Sequence, residues 1–248
     1  MLKVDFKRMF TMPLVYIMAG IGFILPILIL VMTTMMGGGQ EDTAIGVETM
    51  VEAFTNVWQS IGSVSGSTMA MDLTSMCNIN MLYFLVAVLV CVFVSEDFKS
   101  GYAKNLFAVR SQKIDYVFSK TLVTFVGAVI MFLMYFIGAM IGGAIAGLPF
   151  TMEGFSAGGV VACLFSKIFI IAVFVSLSLL LSVIAKQKLW LSIVGSFAAG
   201  MLLFTMIPMI APLNASLLNV IMCLAGGTIF AVGIGAVSNV VLNKTSLV

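Results

Sequence analysis

Residues 95–120 read SEDFKSGYAKNLFAVRSQKIDYVFSK, a charged island between two long apolar runs. The island holds Lys99, Lys104, Arg110, Lys113 and Lys120, together with Glu96, Asp97 and Asp115. A polar segment between two membrane spans lies in water on one side of the bilayer. Five of the 12 basic residues fall here, so the positive-inside bias puts that side in the cytoplasm. Within the island Tyr102, Leu106 and Val109 recur at helical spacing, with Phe107 beside them. This predicts a short amphipathic helix at the membrane surface. It is either a solvated connector or a docking element for a cytoplasmic partner.

Outside the island the chain is overwhelmingly apolar. Of 248 residues, 62% are hydrophobic and 9% charged, with a mean hydropathy of +1.21. Soluble domains carry about 25% charged residues. The expectation is an integral membrane protein with a single domain over 1–248 and no separate soluble domain. Histidine is absent, which removes His-based acid–base chemistry and His metal ligands, and no metal site is expected. Cys77, Cys91, Cys163 and Cys223 are dispersed and read as small apolar helix residues. A disulfide between Cys77 and Cys163, both toward the outer face, stays open.

Working outward, six spans are expected at about 12–34, 77–94, 116–147, 160–185, 189–210 and 217–242. The start, MLKVDFKRMF, places Lys3, Lys7 and Arg8 beside apolar residues at helical spacing, which predicts a basic interfacial helix. A signal peptide is the alternative, but the following apolar run is longer than an h-region. Pro13 suits the first turn of span 1, and Pro26 should kink it. An outer loop, 35–76, has no Lys or Arg. In it Met50, Phe54, Val57, Trp58 and Ile61 predict an amphipathic helix, either resting on the bilayer or acting as a lid. With both termini inside, every Lys and Arg except Lys167 lies on the inner side, 11 of the 12. Lys167, inside span 4, is expected to snorkel outward; the alternative is an aqueous cavity where it meets an anion.

Polar and small residues within the spans suggest packing more than chemistry. Gly138 and Gly142, and Gly227, Ala231 and Gly235, are spaced for close helix approach, within one subunit or across a dimer. Ser178 and Ser182, with Ser192 and Ser196, read as helix glue, and with Lys167 as a less favoured substrate path. Methionines such as Met32, Met35, Met206 and Met209 gather toward the outer half, as lipid-facing filler or an adaptable apolar surface. No intramembrane carboxylate is apparent, and Ser119-Lys120-Thr121 lacks the glycines of a P-loop. Energy for uphill movement would come from another chain.

The island also resembles the membrane subunits of type-2 ABC exporters. The resemblance lies in Glu96 at the end of span 2, then Gly101-Tyr102-Ala103-Lys104-Asn105-Leu106, Arg110-Ser111, and Lys120 opening span 3. The stretch EDFKSGYAKN looks most like permeases of lantibiotic-immunity and antimicrobial-peptide exporters. The long first outer loop departs from that pattern.

The resemblance implies an all-α membrane protein of six transmembrane helices, with an N-terminal interfacial helix and a cytoplasmic coupling helix between spans 2 and 3. Two permease subunits, identical or paralogous, would pair in a bacterial cell membrane above two cytoplasmic ATPase subunits. Those ATPases would hold ATP and Mg; this chain would hold no cofactor and catalyse nothing. Glu96, Gly101, Tyr102, Lys104, Asn105, Leu106, Phe107 and Arg110 would form the coupling element, with Lys186 and Lys188 as a second contact. The cargo would be an amphipathic peptide or a lipid-like molecule, with no role for nucleic acid. A secondary carrier or channel, a membrane-embedded enzyme and a non-transporting assembly factor are the other classes.

Overall fold

A computed structural model describes residues 1–37, 54–63, 78–109 and 113–244. Among these, all regular structure is helical. The helices are α1 (Leu2–Thr11), α2 (Pro13–Gly37), α3 (Leu82–Lys99), α4 (Tyr102–Val109), α5 (Ile114–Ala146), α6 (Ala157–Ala185), α7 (Leu189–Phe204), α8 (Ile207–Ile210) and α9 (Leu217–Lys244). Two 3₁₀ turns, Val57–Ser60 and Ile79–Met81, complete the set. A spanning segment must satisfy its own backbone hydrogen bonds, and helices do so internally. Among the described residues, five helices are long and apolar enough to cross a membrane: α2, α3 with its preceding turn, α5, α6 and α9. The chain is therefore an all-α, multi-span helical bundle of the membrane type.

The expected fifth span, 189–210, is broken. Helix α7 has 16 residues and rises about 24 Å, short of the roughly 30 Å hydrocarbon layer. Pro208 explains the break. Its ring collides with the carbonyl four residues back, at Phe204, where α7 ends. A new turn, α8, then starts with that proline in its first two positions.

Helices α3 and α6 form the buried centre, with Tyr83 stacked on Phe174 at 4.6 Å and tilted against Phe132 at 5.2 Å. Around them α2 packs on α5 and α9 on α6. The α2–α5 crossing is close because Gly138 and Gly142 have no side chain. A Cβ on Gly138 would run into the Phe23 carbonyl and the Pro26 ring. A Cβ on Gly142 would lie 2.7 Å from Ile27 Cα. On α9, a Cβ at Gly227 would come within 2.5 Å of the Phe169 carbonyl oxygen of α6. Ala231 and Gly235 instead line an open groove. The small residues thus serve packing within this chain at 138, 142 and 227.

The far end of the bundle is capped differently from expectation. The helix expected over 50–61 does not run through its described part. Asn56 is extended and its side-chain oxygen accepts from Trp58 N–H, so only a 3₁₀ turn follows. That turn packs into the bundle. Val57 and Ile61 are fully buried. Val57 abuts Gly143 of α5, and Ile61 clusters with Cys163 and Leu213. Trp58 Nε1–H donates to the Phe150 carbonyl at 3.2 Å, and Asn56 Nδ2–H to that of Thr151 at 2.6 Å. Met50 and most of the 35–76 loop lie outside the described residues, as does Cys77; Cys163 is a free thiol. The methionines at 32, 35, 206 and 209 are exposed on the bundle.

Replacing Gly142 with alanine is expected to push α2 from α5, at a cost of about 1–3 kcal/mol for overpacking. Thermal unfolding of the full chain in detergent reads this as a lowered midpoint. Gly226→Ala, where an added Cβ meets nothing within 4 Å, serves as the silent control.

Candidate functional site

The island does not lie wholly in water. Its first residues, Ser95–Lys99, continue α3, and Ile114 onward starts α5. Only α4 and its two short joints stand between spans. Asp97 on α3 and Lys120 on α5 are fully buried, and they meet. Lys120 Nζ lies 2.6 Å from Asp97 Oδ2 and 2.8 Å from Asp5 Oδ1. Asp5 comes from α1, where it shares a face with Arg8 three residues on. Arg8 Nη1 lies 2.7 Å from Asp97 Oδ1, as an ion pair without hydrogen-bond alignment.

Neutral donors complete the cluster. Ser119 Oγ donates to Asp5 at 2.6 Å, and the Tyr116 hydroxyl to Asp97 at 3.0 Å. The Lys120 ammonium sits 3.9 Å from the Phe93 ring centroid. Two carboxylates and two cations balance, which is what makes their burial tolerable. Burial works against the Arg8 charge, but Asp97 and Asp5 outweigh it and hold the guanidinium above its ordinary pKa. Both acids lie at helix ends, Asp5 in the first turn of α1 and Asp97 in the last turn of α3, but they are buried in the bundle. Sequence reading missed Asp5 as a partner. The signal was present in the Asp5–Arg8 spacing on a helix otherwise read as a basic surface stripe.

This cluster fixes α4. Arg8 stacks over the Tyr102 ring at 4.0 Å, and Phe107 meets the Tyr116 ring edge-on at 5.2 Å. Ala103 is buried, and Leu106 and Phe107 pack on the core. The turn into α4 is Gly101, whose φ of +73° suits glycine. Facing outward are Lys104, Asn105, Ala108 and Val109, the last 86% exposed. Leu106 and Phe107 are thus inward anchors of α4, while the free face is carried by residues beside them. Glu96 is exposed, and its carbonyl accepts from the Ser100 amide. Arg110 lies outside the described residues.

The turn between α6 and α7 comes to the same place. Gly101, Lys104, Lys186 and Lys188 line one cavity of about 650 Å³, with Phe98, Lys99, Ala185 and Gln187. Lys186 adopts a positive φ of +53°, unusual for a side-chain-bearing residue. Two sharp reversals, at 101 and 186, thereby frame one lysine-rich recess. Four lysines and no carboxylate line it.

The residues of the less favoured substrate path sit elsewhere. Lys167 is fully buried and does not snorkel. Its ammonium donates to Asn80 Oδ1 at 2.5 Å, while Tyr83 OH donates to the Lys167 carbonyl at 2.9 Å. The α3–α6 contact covers the stem, so the head finds its acceptor inside the bundle. Ser182 Oγ donates to the Ser178 carbonyl at 2.7 Å, and Ser196 pairs with Cys91 at 3.4 Å. Ser178 and Ser182 are buried, and neither they nor Lys167 lines the recess or the α9 groove. No group of three or more metal-ligating side chains occurs among the described residues.

No protein-family model matches the chain, and no curated protein or solved structure is significantly similar to it. The fold and composition define a multi-span membrane helical bundle, consistent with a transport protein in general.

Lys120→Met is expected to destabilise the protein by about 3–5 kcal/mol, because it strands two buried carboxylates. Adding Asp5→Asn and Asp97→Asn should recover part of that loss, since Arg8 is part-exposed and can turn to water. Thermal midpoints of the single and triple variants check both steps.

Proposed function

We propose that this chain is the permease subunit of an ABC-type exporter, driven by ATPase subunits on separate chains. The observation that supports it is the mounting of α4. A short surface helix rests by ring contacts on α1 and α5, which buried charge ties to α3, yet it keeps one face free. Such a helix transmits a push to the spans rather than absorbing it. The resemblance of residues 96–120 to the exporter coupling segment supports the same reading.

In this reading the lysine-rich end faces the cytoplasm, both termini lie there, and α7 with α8 makes a sixth, interrupted crossing. Two ATPase subunits, carrying ATP and Mg, dock on the outward face of α4, with Lys186 and Lys188 as the second contact. A second permease subunit, identical or paralogous, completes the pathway. The cargo is amphipathic or hydrophobic, a bacterial peptide first and a lipid-like molecule second, because the described spans present apolar surface outward.

A secondary carrier is the second reading. The buried Asp5–Lys120–Asp97 cluster favours it, since ion-coupled carriers use buried acids.

The free face of α4 supplies the test. Val109→Asp and Lys104→Glu should abolish association with the ATPase and stimulated ATP hydrolysis, while the thermal midpoint holds. Leu106 and Phe107 are poor probes because they pack inward. Transport by the purified chain without nucleotide would overturn the exporter reading in favour of the carrier, and unchanged ATPase association in both variants would remove α4 as the docking element.

A further inference from the structure

A second cavity, about 520 Å³, runs between α5, α6 and α9. Its floor is Val117, Phe169 and Gly227, and its rims are Phe118 and Val232, which are 66% and 73% exposed. Helix α9 touches α6 closely at Gly227. It meets α5 only loosely at Gly235, where an added Cβ would lie an ordinary 3.7 Å from Val117 Cγ1. The small residues of α9 thus open a trough. Its lining offers no free hydrogen-bonding group: Thr121 bonds the Val117 carbonyl, and Thr228 that of Leu224. Such a surface accepts hydrocarbon.

Beyond the Ile114 end of the trough lie two lysines, with Asp115 the one acid next to Ile114 in sequence. Lys113 immediately precedes Ile114 in its lining, and its ammonium donates to the Leu242 carbonyl of α9 at 2.6 Å. That bond uses one of three N–H groups. Lys244, exposed, follows two residues after the same carbonyl. A cationic rim over a hydrocarbon slot matches one kind of molecule. We propose that the α5–α9 trough holds an acyl chain of an anionic phospholipid from the leaflet at the lysine-rich end, with the headgroup phosphate on Lys113 and Lys244.

A second copy of this chain is a poorer occupant. Two copies in one membrane share an orientation, and a two-fold contact through this trough would bring Lys113 and Lys244 against their counterparts. The assignment is independent of whether an ATPase drives the protein.

The test uses the full chain in nanodiscs of equal parts phosphatidylglycerol and phosphatidylcholine. A benzophenone side chain is placed at position 118 on the rim, and in a separate sample at 229, a 70% exposed position on α9 outside the trough lining. Mass spectrometry reads the ratio of the two lipid adducts. Position 118 should favour phosphatidylglycerol about 25-fold, the gain expected of two lysines near an anionic headgroup. Position 229 should show no preference. In the Lys113→Gln/Lys244→Gln variant the ratio at 118 should fall to that at 229, and Ala231→Trp should suppress the adduct at 118 altogether. Equal ratios at 118 and 229, a ratio unmoved by the lysine variant, or cross-linking of 118 to a second copy would each overturn the assignment.

Discussion

Lys120, between Asp5 and Asp97, is the contact on which the lysine-rich end of this bundle depends. Burying one ammonium costs several kcal/mol unless acceptors surround it. Here two carboxylates, from different helices, converge on it, and each is in turn held by a hydroxyl or a guanidinium. The three helices α1, α3 and α5 cannot shift independently without leaving a charge unpaired in a low-dielectric setting. The position of α4 follows, since Tyr102 lies under Arg8 and Phe107 against Tyr116.

The two ends of the bundle solve different problems. At the lysine-rich end, charge is compensated inside and displayed outside, in the recess framed by Gly101 and Lys186. At the far end, apolar residues of the 57–61 turn close the gap between α5 and α6, held by Trp58 and Asn56. Between them lies an aromatic and aliphatic centre in which the few polar groups are consumed locally, such as Lys167 by Asn80.

Much of the helical layout was legible from hydropathy alone, because a span must be long, apolar and internally hydrogen-bonded. Helix α4 was legible too, from the spacing of Tyr102, Leu106 and Val109. Which side of α4 faces inward was not, because Leu106 and Phe107 look equally suited to a partner or to the core. Pro208 marked a bend, but sequence did not say that the helix would stop at Phe204. The ion cluster was the least visible feature. Opposite charges separated by more than a hundred positions look like solvated residues until the chain brings them together. Segment 54–61 misled for another reason: its apolar spacing was real, but the Asn56 side chain accepts from the Trp58 amide and breaks the helix.

The distance along the chain between Asp5 and Lys120, 115 residues, has a consequence for biogenesis. During synthesis the aspartate leaves the ribosome long before the helix that will neutralise it. Until α5 inserts, α1 has no lysine to enclose its acid, and hydration favours keeping it at the water-facing surface. Docking of α1 through this cluster therefore waits for α5, the third of the five long helices in chain order.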